Sequence, residues 1–294
     1  MIHKVLFTAD KEELKLKHKS LIIQASNRCP CCCPGCYNHF ADAEDISTEQ
    51  IVRFAVGYIH RFETKKVTIS GGDPLMRKDI ICLLDDLMSL GIDISVDTVG
   101  LSIVHDRILT DVLKRASVVG LPLDGMTDKT LNTFRPGLQI LKLLQVIRIA
   151  SENGLRICIN TVVHAQNAHE ISLIAQFVNK TEGVKKWQLF QYMPIGPRGS
   201  ENAAQYMISN QEFQTVCEQI YQLPFRADVS IECKSLSCRR NRYLLLGADG
   251  TVWHPKQTFG DTWETKNEQN SQRVVIGHIN DERILDKIAE VIEI

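Results

Sequence analysis

One alternation, repeated six times, constrains this chain more than any other feature: a short apolar run rich in β-branched residues, followed by a segment of helical periodicity. The runs Leu21–Ala25, Val67–Ser70, Ile92–Val96, Ser117–Leu121, Arg156–Val162 and Trp187–Tyr192 read as strands. The segments Thr48–Arg61, Lys78–Leu90, Ile103–Arg115, Leu138–Asn153, Glu170–Lys180 and Gln211–Gln222 read as helices. Thr48 and Asn210 are read as N-caps, and Gly91 and Gly154 fall where a left-handed residue ends a helix before the next strand. Strands alternating with helices favour a parallel sheet with right-handed crossovers. Six units are fewer than a closed eight-fold barrel needs. The expected fold is therefore α/β, a partial TIM-like (β/α)6 barrel over residues 21–222. Residues 1–20 form an N-terminal extension, and residues 223–294 form a β-rich C-terminal cap covering the barrel mouth. Within the cap, Val229–Glu232, Arg242–Gly247, Thr251–His254 and Val274–Ile279 read as strands, with a hairpin turn at Ala248–Gly250. Thr258–Arg273 reads as a loop and Asp281–Ile294 as a closing helix.

Five of the ten cysteines, Cys29, Cys31, Cys32, Cys33 and Cys36, lie within eight residues. Packed so tightly, most of them cannot pair with one another in good disulfide geometry. The longest apolar runs are short and interrupted, so no segment is expected to span a bilayer. The first 20 residues lack the apolar stretch of a secretory signal. A cytoplasmic, reducing location follows, and there such a cluster reads as metal binding or redox chemistry. Only Cys29, Cys33 and Cys36 satisfy the spacing Cys-x3-Cys-x2-Cys. Three thiolates can hold three irons of a 4Fe–4S cube and leave the fourth open; zinc binding is the alternative the cysteines alone leave standing.

Directly after the second strand comes Ser70-Gly71-Gly72-Asp73-Pro74-Leu75. Two glycines allow backbone to approach a ligand closely, Asp73 is an acceptor for an ammonium group, and Pro74 fixes the turn. The position matters, because ligands of parallel α/β sheets bind at the C-terminal ends of the strands.

Together the two motifs resemble those of the radical S-adenosylmethionine (SAM) superfamily, over Leu21 to about Tyr192. In that family the cysteine loop follows strand one and a Gly-Gly-Glu-Pro motif follows strand two; here Asp73 stands for the Glu and keeps the carboxylate. The resemblance implies a 4Fe–4S cluster on Cys29, Cys33 and Cys36, with SAM chelated at the open iron. It also implies SAM contacts from Tyr37, Gly71, Gly72, Asp73, Pro74, Asp97, Thr98, Arg135, Asn160 and Met193. Tyr37 and Met193 would lie near adenine, and Arg135 would suit the SAM carboxylate as a fork of donors. For Asp97 loop capping, for Arg135 a surface salt bridge and for Asn160 a satisfied core amide are the plainer alternatives. Cys31 and Cys32 are extra to the motif. Cys82 and Cys158 read as small core residues.

The chemistry implied is reductive cleavage of SAM to a 5′-deoxyadenosyl radical that abstracts hydrogen from a substrate. An external flavodoxin or ferredoxin would supply the electron. The 34 Lys and Arg balance 35 Asp and Glu, so no general basic field points to nucleic acid. Arg198, Arg239, Arg240 and Arg242 are candidate contacts for a small anionic or nucleotide-like substrate. A short likeness to viperin-like and molybdopterin-type members, at Lys186–Gln191 and Ile208–Phe213, points the same way. The alternative is a peptide or protein substrate, glycyl-radical activases included. Cys233 and Cys238 would then belong to a second cluster, for which the stretch holds fewer cysteines than such a site needs.

Overall fold

The computed structural model describes residues 21–38, 44–64, 66–100, 110–112, 114–239, 243–255 and 273–292. Strand β1 (Leu21–Gln24) leads to α1 (Thr48–Phe62), β2 (Lys66–Ser70), α2 (Ile80–Ser89) and β3 (Asp93–Asp97). After β4 (Val118–Pro122) come α3 (Asp128–Phe134), α4 (Ile140–Glu152), β5 (Ile157–Val163), α5 (Ile171–Lys180) and β6 (Val184–Gln191). Two short helices, α6 (Gly196–Glu201) and α7 (Ala203–Tyr206), precede α8 (Asn210–Tyr221) and β7 (Ser230–Lys234). The chain ends with β8 (Leu244–Leu246), β9 (Thr251–Pro255), β10 (Arg273–His278) and α9 (Ile284–Ile292).

The ten strands among the described residues form one open sheet in the order β10-β9-β8-β1-β2-β3-β4-β5-β6-β7. Strands β1 to β7 are parallel, the expected partial barrel. The tail extends this sheet at both edges. β7 adds a seventh parallel strand beside β6, β8 lies parallel to β1, and β9 and β10 continue antiparallel. The hairpin at Ala248–Gly250 is present, with Gly250 at φ +85.

Alternate residues of each strand face either the helices or the lumen. Leu21, Ile23, Val67, Ile69, Ile94, Val96, Ile157, Ile159, Trp187 and Leu189 are buried in the main core, with the apolar stripes of α1, α2, α4 and α5. The expected N-caps shift back by one residue. Ser47 and Ser209 cap α1 and α8, each in a capping box with Gln50 or Glu212, which satisfies two orphan backbone donors per helix. Cys82 is corrected: it is exposed, because the buried stripe of α2 runs through Ile80, Leu83, Leu84 and Leu87. α3 escapes periodicity because only Leu131 and Phe134 are buried in it. α6 contains Pro197, Gly196 and Gly199, and reads as a loop in sequence. The expected helix Ile103–Arg115 lies largely outside the described residues, as do residues 1–20, Arg240, Arg242 and the loop Thr258–Arg273 except its last residue, which begins β10.

Arg77 ties the top of β1 to α1 and α2. Its buried guanidinium donates to the carbonyls of Ala25 (2.8 Å) and Ile46 (3.0 Å) and to Thr48 Oγ1 (3.1 Å), and pairs with Asp79 at 2.8 Å. Arg77→Ala would strand two carbonyls and half an ion pair. It should lower stability by about 2–4 kcal/mol, read as a lower urea midpoint at unchanged slope.

Candidate active site

The cysteine loop begins where β1 ends and is held from several sides. Asp45 accepts from Ser26 Oγ (2.8 Å) and the Asn27 amide (2.7 Å). The Gly72 amide donates to Ser26 O (2.7 Å) and the Asp73 amide to Arg28 O (2.8 Å), while Asn38 Nδ2 donates to Gly71 O. The two loops therefore touch backbone to backbone. A Cβ on Gly72 would lie 2.2 Å from Arg28 O, and Gly71 has φ +132, so both positions require glycine. The far side of the loop rests on aromatic rings. A Cβ at Gly35 would strike Phe134 at 2.4 Å and Tyr192 at 2.8 Å, and Asn202 Nδ2 donates to Pro34 O (3.2 Å).

Asp73 is fully buried. Its carboxylate accepts from the Leu75 amide (2.9 Å), from Thr98 Oγ1 (2.8 and 3.0 Å) and from the Val99 amide (3.1 Å). Burial raises its pKa against those hydrogen bonds. The side chain joins the β2 loop to the β3 loop, so what this turn presents outward is backbone. Pro74 opens the short 3-10 turn that Asp73 caps, and Thr98 is buried as the partner of Asp73.

Arg135, just past α3, pairs with buried Asp124 at 2.5 Å, and its Nη1 lies 3.9 Å from Cys33 Sγ. Asp124 also accepts from the Val162 amide (2.6 Å). Hydrogen bonding from Cys31 brings the Cys33 thiol down to about 6, with Arg135 adding to it against burial. Cys31 likewise lowers Cys29, while burial pushes Cys36 up to about 12. One loop thus carries three sulfurs beside a fixed guanidinium, a donor set that suits iron–sulfur ligation. Among the described residues no three His, Cys, Asp or Glu side chains converge to hold a single metal ion. A cube makes no such demand, since each sulfur binds a different iron.

Tyr37 is half-buried, its ring 6.4 Å from that of Trp253. Burial raises its hydroxyl pKa, and Ser70 and Asp97 lie nearby. Asp97 and Asn160 meet in the lumen, Asn160 Nδ2 donating to Asp97 Oδ1 at 3.4 Å. Gly120 makes room for both, because a Cβ there would sit 1.9 Å from Asp97 Oδ1. Cys158 is buried as expected, but its thiol faces Asn160 Oδ1 at 3.5 Å, on the lumen side. Beyond it, Lys186 pairs with Glu232 (2.7 Å), Gln188 donates to Glu232 (2.9 Å), and Lys234 lies 3.5 Å from Glu232. Met193 is half-buried just past β6, and Arg198 lies in α6 near the Asn202 contact to the cysteine loop. Arg239 is buried. It donates to Gln191 O and stacks near Phe190, its Cζ 5.7 Å from the ring centroid. Among the described residues its Nε has no hydrogen-bond partner. Cys233 lies on the outer side of β7, beside Cys217 of α8.

Asp45, Gly35, Phe134, Tyr192, Gly120 and Lys234 complete the site without any motif to announce them. Gly35, beside Pro34 inside the cysteine loop, and Lys234, in an alternating strand, carried the only sequence signals.

A family model described as the Radical SAM superfamily matches residues 23–178. The chain is 28% identical to a GTP 3′,8-cyclase of Listeria monocytogenes over 223 residues, 72% of this chain and 65% of that relative. It therefore spans slightly less than two thirds of that relative's length. A GTP 3′,8-cyclase of Listeria welshimeri is 28% identical over 258 residues, 83% of this chain and 74% of the relative. Among solved structures, SuiB of Streptococcus suis bound to precursor peptide SuiA superposes with a TM-score of 0.66 at 15% identity, over 80% of this chain and 58% of that one. anSMEcpe with bound AdoMet gives 0.64 at 17% identity, over 93% and 82%.

Two outcomes follow from the geometry. Gly72→Ala puts a methyl into the Arg28 carbonyl and must move the loop that carries Cys29. Bound iron after reconstitution should fall together with SAM affinity, not SAM affinity alone. The second outcome concerns pH: burial pushes the Asp97 carboxyl up to about 6, against the pull of Lys234 and the Asn160 hydrogen bond. An unfolded Asp titrates near about 3.9, so between these values the folded chain holds a proton that the unfolded chain has lost. Stability should fall as pH rises through that window and level off above it. Asp97→Asn should remove that slope in urea midpoints measured across it.

Proposed function

This chain belongs to the radical SAM superfamily, and we propose that it cleaves SAM reductively and uses the product radical on a small anionic, nucleotide-like molecule. The family uses a 4Fe–4S cluster and SAM, and here Cys29, Cys33 and Cys36 would hold the cluster. When bound, the cofactors supply a 5′-deoxyadenosyl radical able to abstract hydrogen from carbon. The protein's part is binding, orientation and exclusion of water. The backbone of Gly71–Asp73, kept in place by the Asp73 carboxylate, offers acceptors to the SAM amino group. In this reading Arg135 would bind its carboxylate, Tyr37 and Met193 would lie near its adenine, and Asn160 with Asp97 would bind its ribose. Flavodoxin or ferredoxin is the proposed electron donor and the cytoplasm the proposed location. No helix among the described residues is long and apolar enough to cross a membrane.

The observation that carries this reading is the convergence of the cysteine loop, the Gly71–Asp73 turn and Arg135 at the C-terminal ends of β1, β2 and β4. For the substrate, the support is the lumen beyond it. Lys234 and Arg239 approach one Phe190 ring, with Lys234 Nζ 5.0 Å from its centroid, and the Nε of buried Arg239 has no hydrogen-bond partner among the described residues. Relatives named for GTP point the same way.

Anaerobically reconstituted protein should hold about four irons and four sulfides and form 5′-deoxyadenosine from SAM and a strong reductant. Cys29→Ala, Cys33→Ala and Cys36→Ala should each abolish that product. Addition of GTP should accelerate its formation, and Arg239→Gln should raise the GTP concentration required by about 10- to 100-fold. Full cluster content in the three cysteine variants would overturn the ligand assignment, and indifference to nucleotides would overturn the substrate class.

A further inference from the structure

The superfamily motif has three cysteines, yet a fourth sulfur lies among them here. Cys31 is 3% exposed. Its amide donates to Cys29 Sγ at 3.5 Å. Val99 packs with Cys31 and Cys33, with Cys29 and Cys36 alongside, and the Arg135 Nη1 lies 3.9 Å from Cys33 Sγ. Cys32 is exposed. The chain at 31–33 has no regular structure, and the alternating burial sends residues 29, 31 and 33 to one side and Cys32 to the other. On an extended stretch, residues two apart are separated by up to about 7 Å at Cα, enough to reach different irons of one cube.

We propose that Cys31 is a fourth, displaceable ligand of the cluster, occupying in the absence of SAM the iron that Cys29, Cys33 and Cys36 leave open. The inference rests on the ligand assignment above. In the exchange, the iron–sulfur bond to Cys31 breaks, and the amino nitrogen and a carboxylate oxygen of SAM bond to that iron. The proton released by the SAM ammonium group is taken up by the departing thiolate, and no electron moves. The resting cluster is then fully ligated, its labile iron covered until SAM arrives, and SAM binding competes against an internal ligand.

The test uses the full chain reconstituted without SAM, as wild type, Cys31→Ala, Cys31→Ser, Cys32→Ala and Cys33→Ala. Each sample is titrated with ferricyanide and read by EPR for the three-iron cluster that forms when an open iron is lost. Wild type and Cys32→Ala should resist conversion; both Cys31 variants should convert readily. Equilibrium dialysis should show SAM binding the Cys31 variants about tenfold more tightly, if nine in ten resting clusters carry the internal ligand. Equal iron loss and equal SAM affinity in wild type and Cys31→Ala would overturn the proposal. The ligand assignment beneath it fails differently: Cys33→Ala would then assemble a full cluster while Cys31→Ala and Cys31→Ser would not.

Discussion

The site depends on one buried carboxylate, Asp73, that among the described residues is met by hydrogen-bond donors and by no salt-bridge partner. Burying a charge is costly unless hydrogen bonds replace its water, and Asp73 finds its replacements in two amides and the Thr98 hydroxyl. Those donors come from the turn after β2 and the loop after β3, so satisfying the charge joins the two loops. Once the turn is fixed, its own amides meet Ser26 and Arg28, and this sets the height at which the cysteine loop leaves β1. Glycine at position 72 is a consequence, because no other residue lets two backbones come so close. A carboxylate thus serves the cluster loop from a distance, without pointing at it.

Positive charge reaches the cysteines by a similar two-step route. A guanidinium beside thiols, with the rest of its surroundings apolar, would be unstable alone. Arg135 is balanced by Asp124, which is itself tied to the β5 backbone. The pair stands on a cluster of Phe134, Tyr192 and Tyr206, whose hydroxyls bond to Gly199 O and Thr133 O. Helix α3 therefore delivers both the charge and the aromatic wall on which Gly35 rests. Its seven residues show no periodicity in sequence, since their value lies in two positions only.

Local pattern made the barrel legible. Six strands and most of their helices follow from alternation and apolar stripes, and the two loops after β1 and β2 stand out by cysteine spacing and by a glycine pair placed after a strand. Pairing partners were harder, because nothing local distinguishes a strand that joins an existing sheet from one that begins a new layer. Ser230–Lys234 shows the difficulty: its composition suits either fate, and only its register with β6 makes it a seventh barrel strand. Asp97, Gly120 and Asn160 show a second limit. They lie on β3, β4 and β5, far apart in sequence, and the need for glycine at 120 exists only because the two neighbouring side chains meet across it.

An open parallel sheet has two edges, each a row of unpaired backbone groups that invites association. This chain uses its tail on both edges, with β7 beside β6 and the β8–β10 segment beside β1. Covering the edges in this way also determines what lines the lumen. Adding β7 to β6 brings Glu232 and Lys234 into line with Gln188 and Phe190, so the strand that protects the edge also carries polar and charged groups inward. Between β7 and β8 the chain must pass from one edge to the other, and at the start of that passage Arg239 is buried against Gln191 and Phe190. Burying a guanidinium is costly: burial lowers the Arg239 pKa, and among the described residues the Gln191 carbonyl accepts from it while the Phe190 ring centroid lies 5.7 Å from its Cζ.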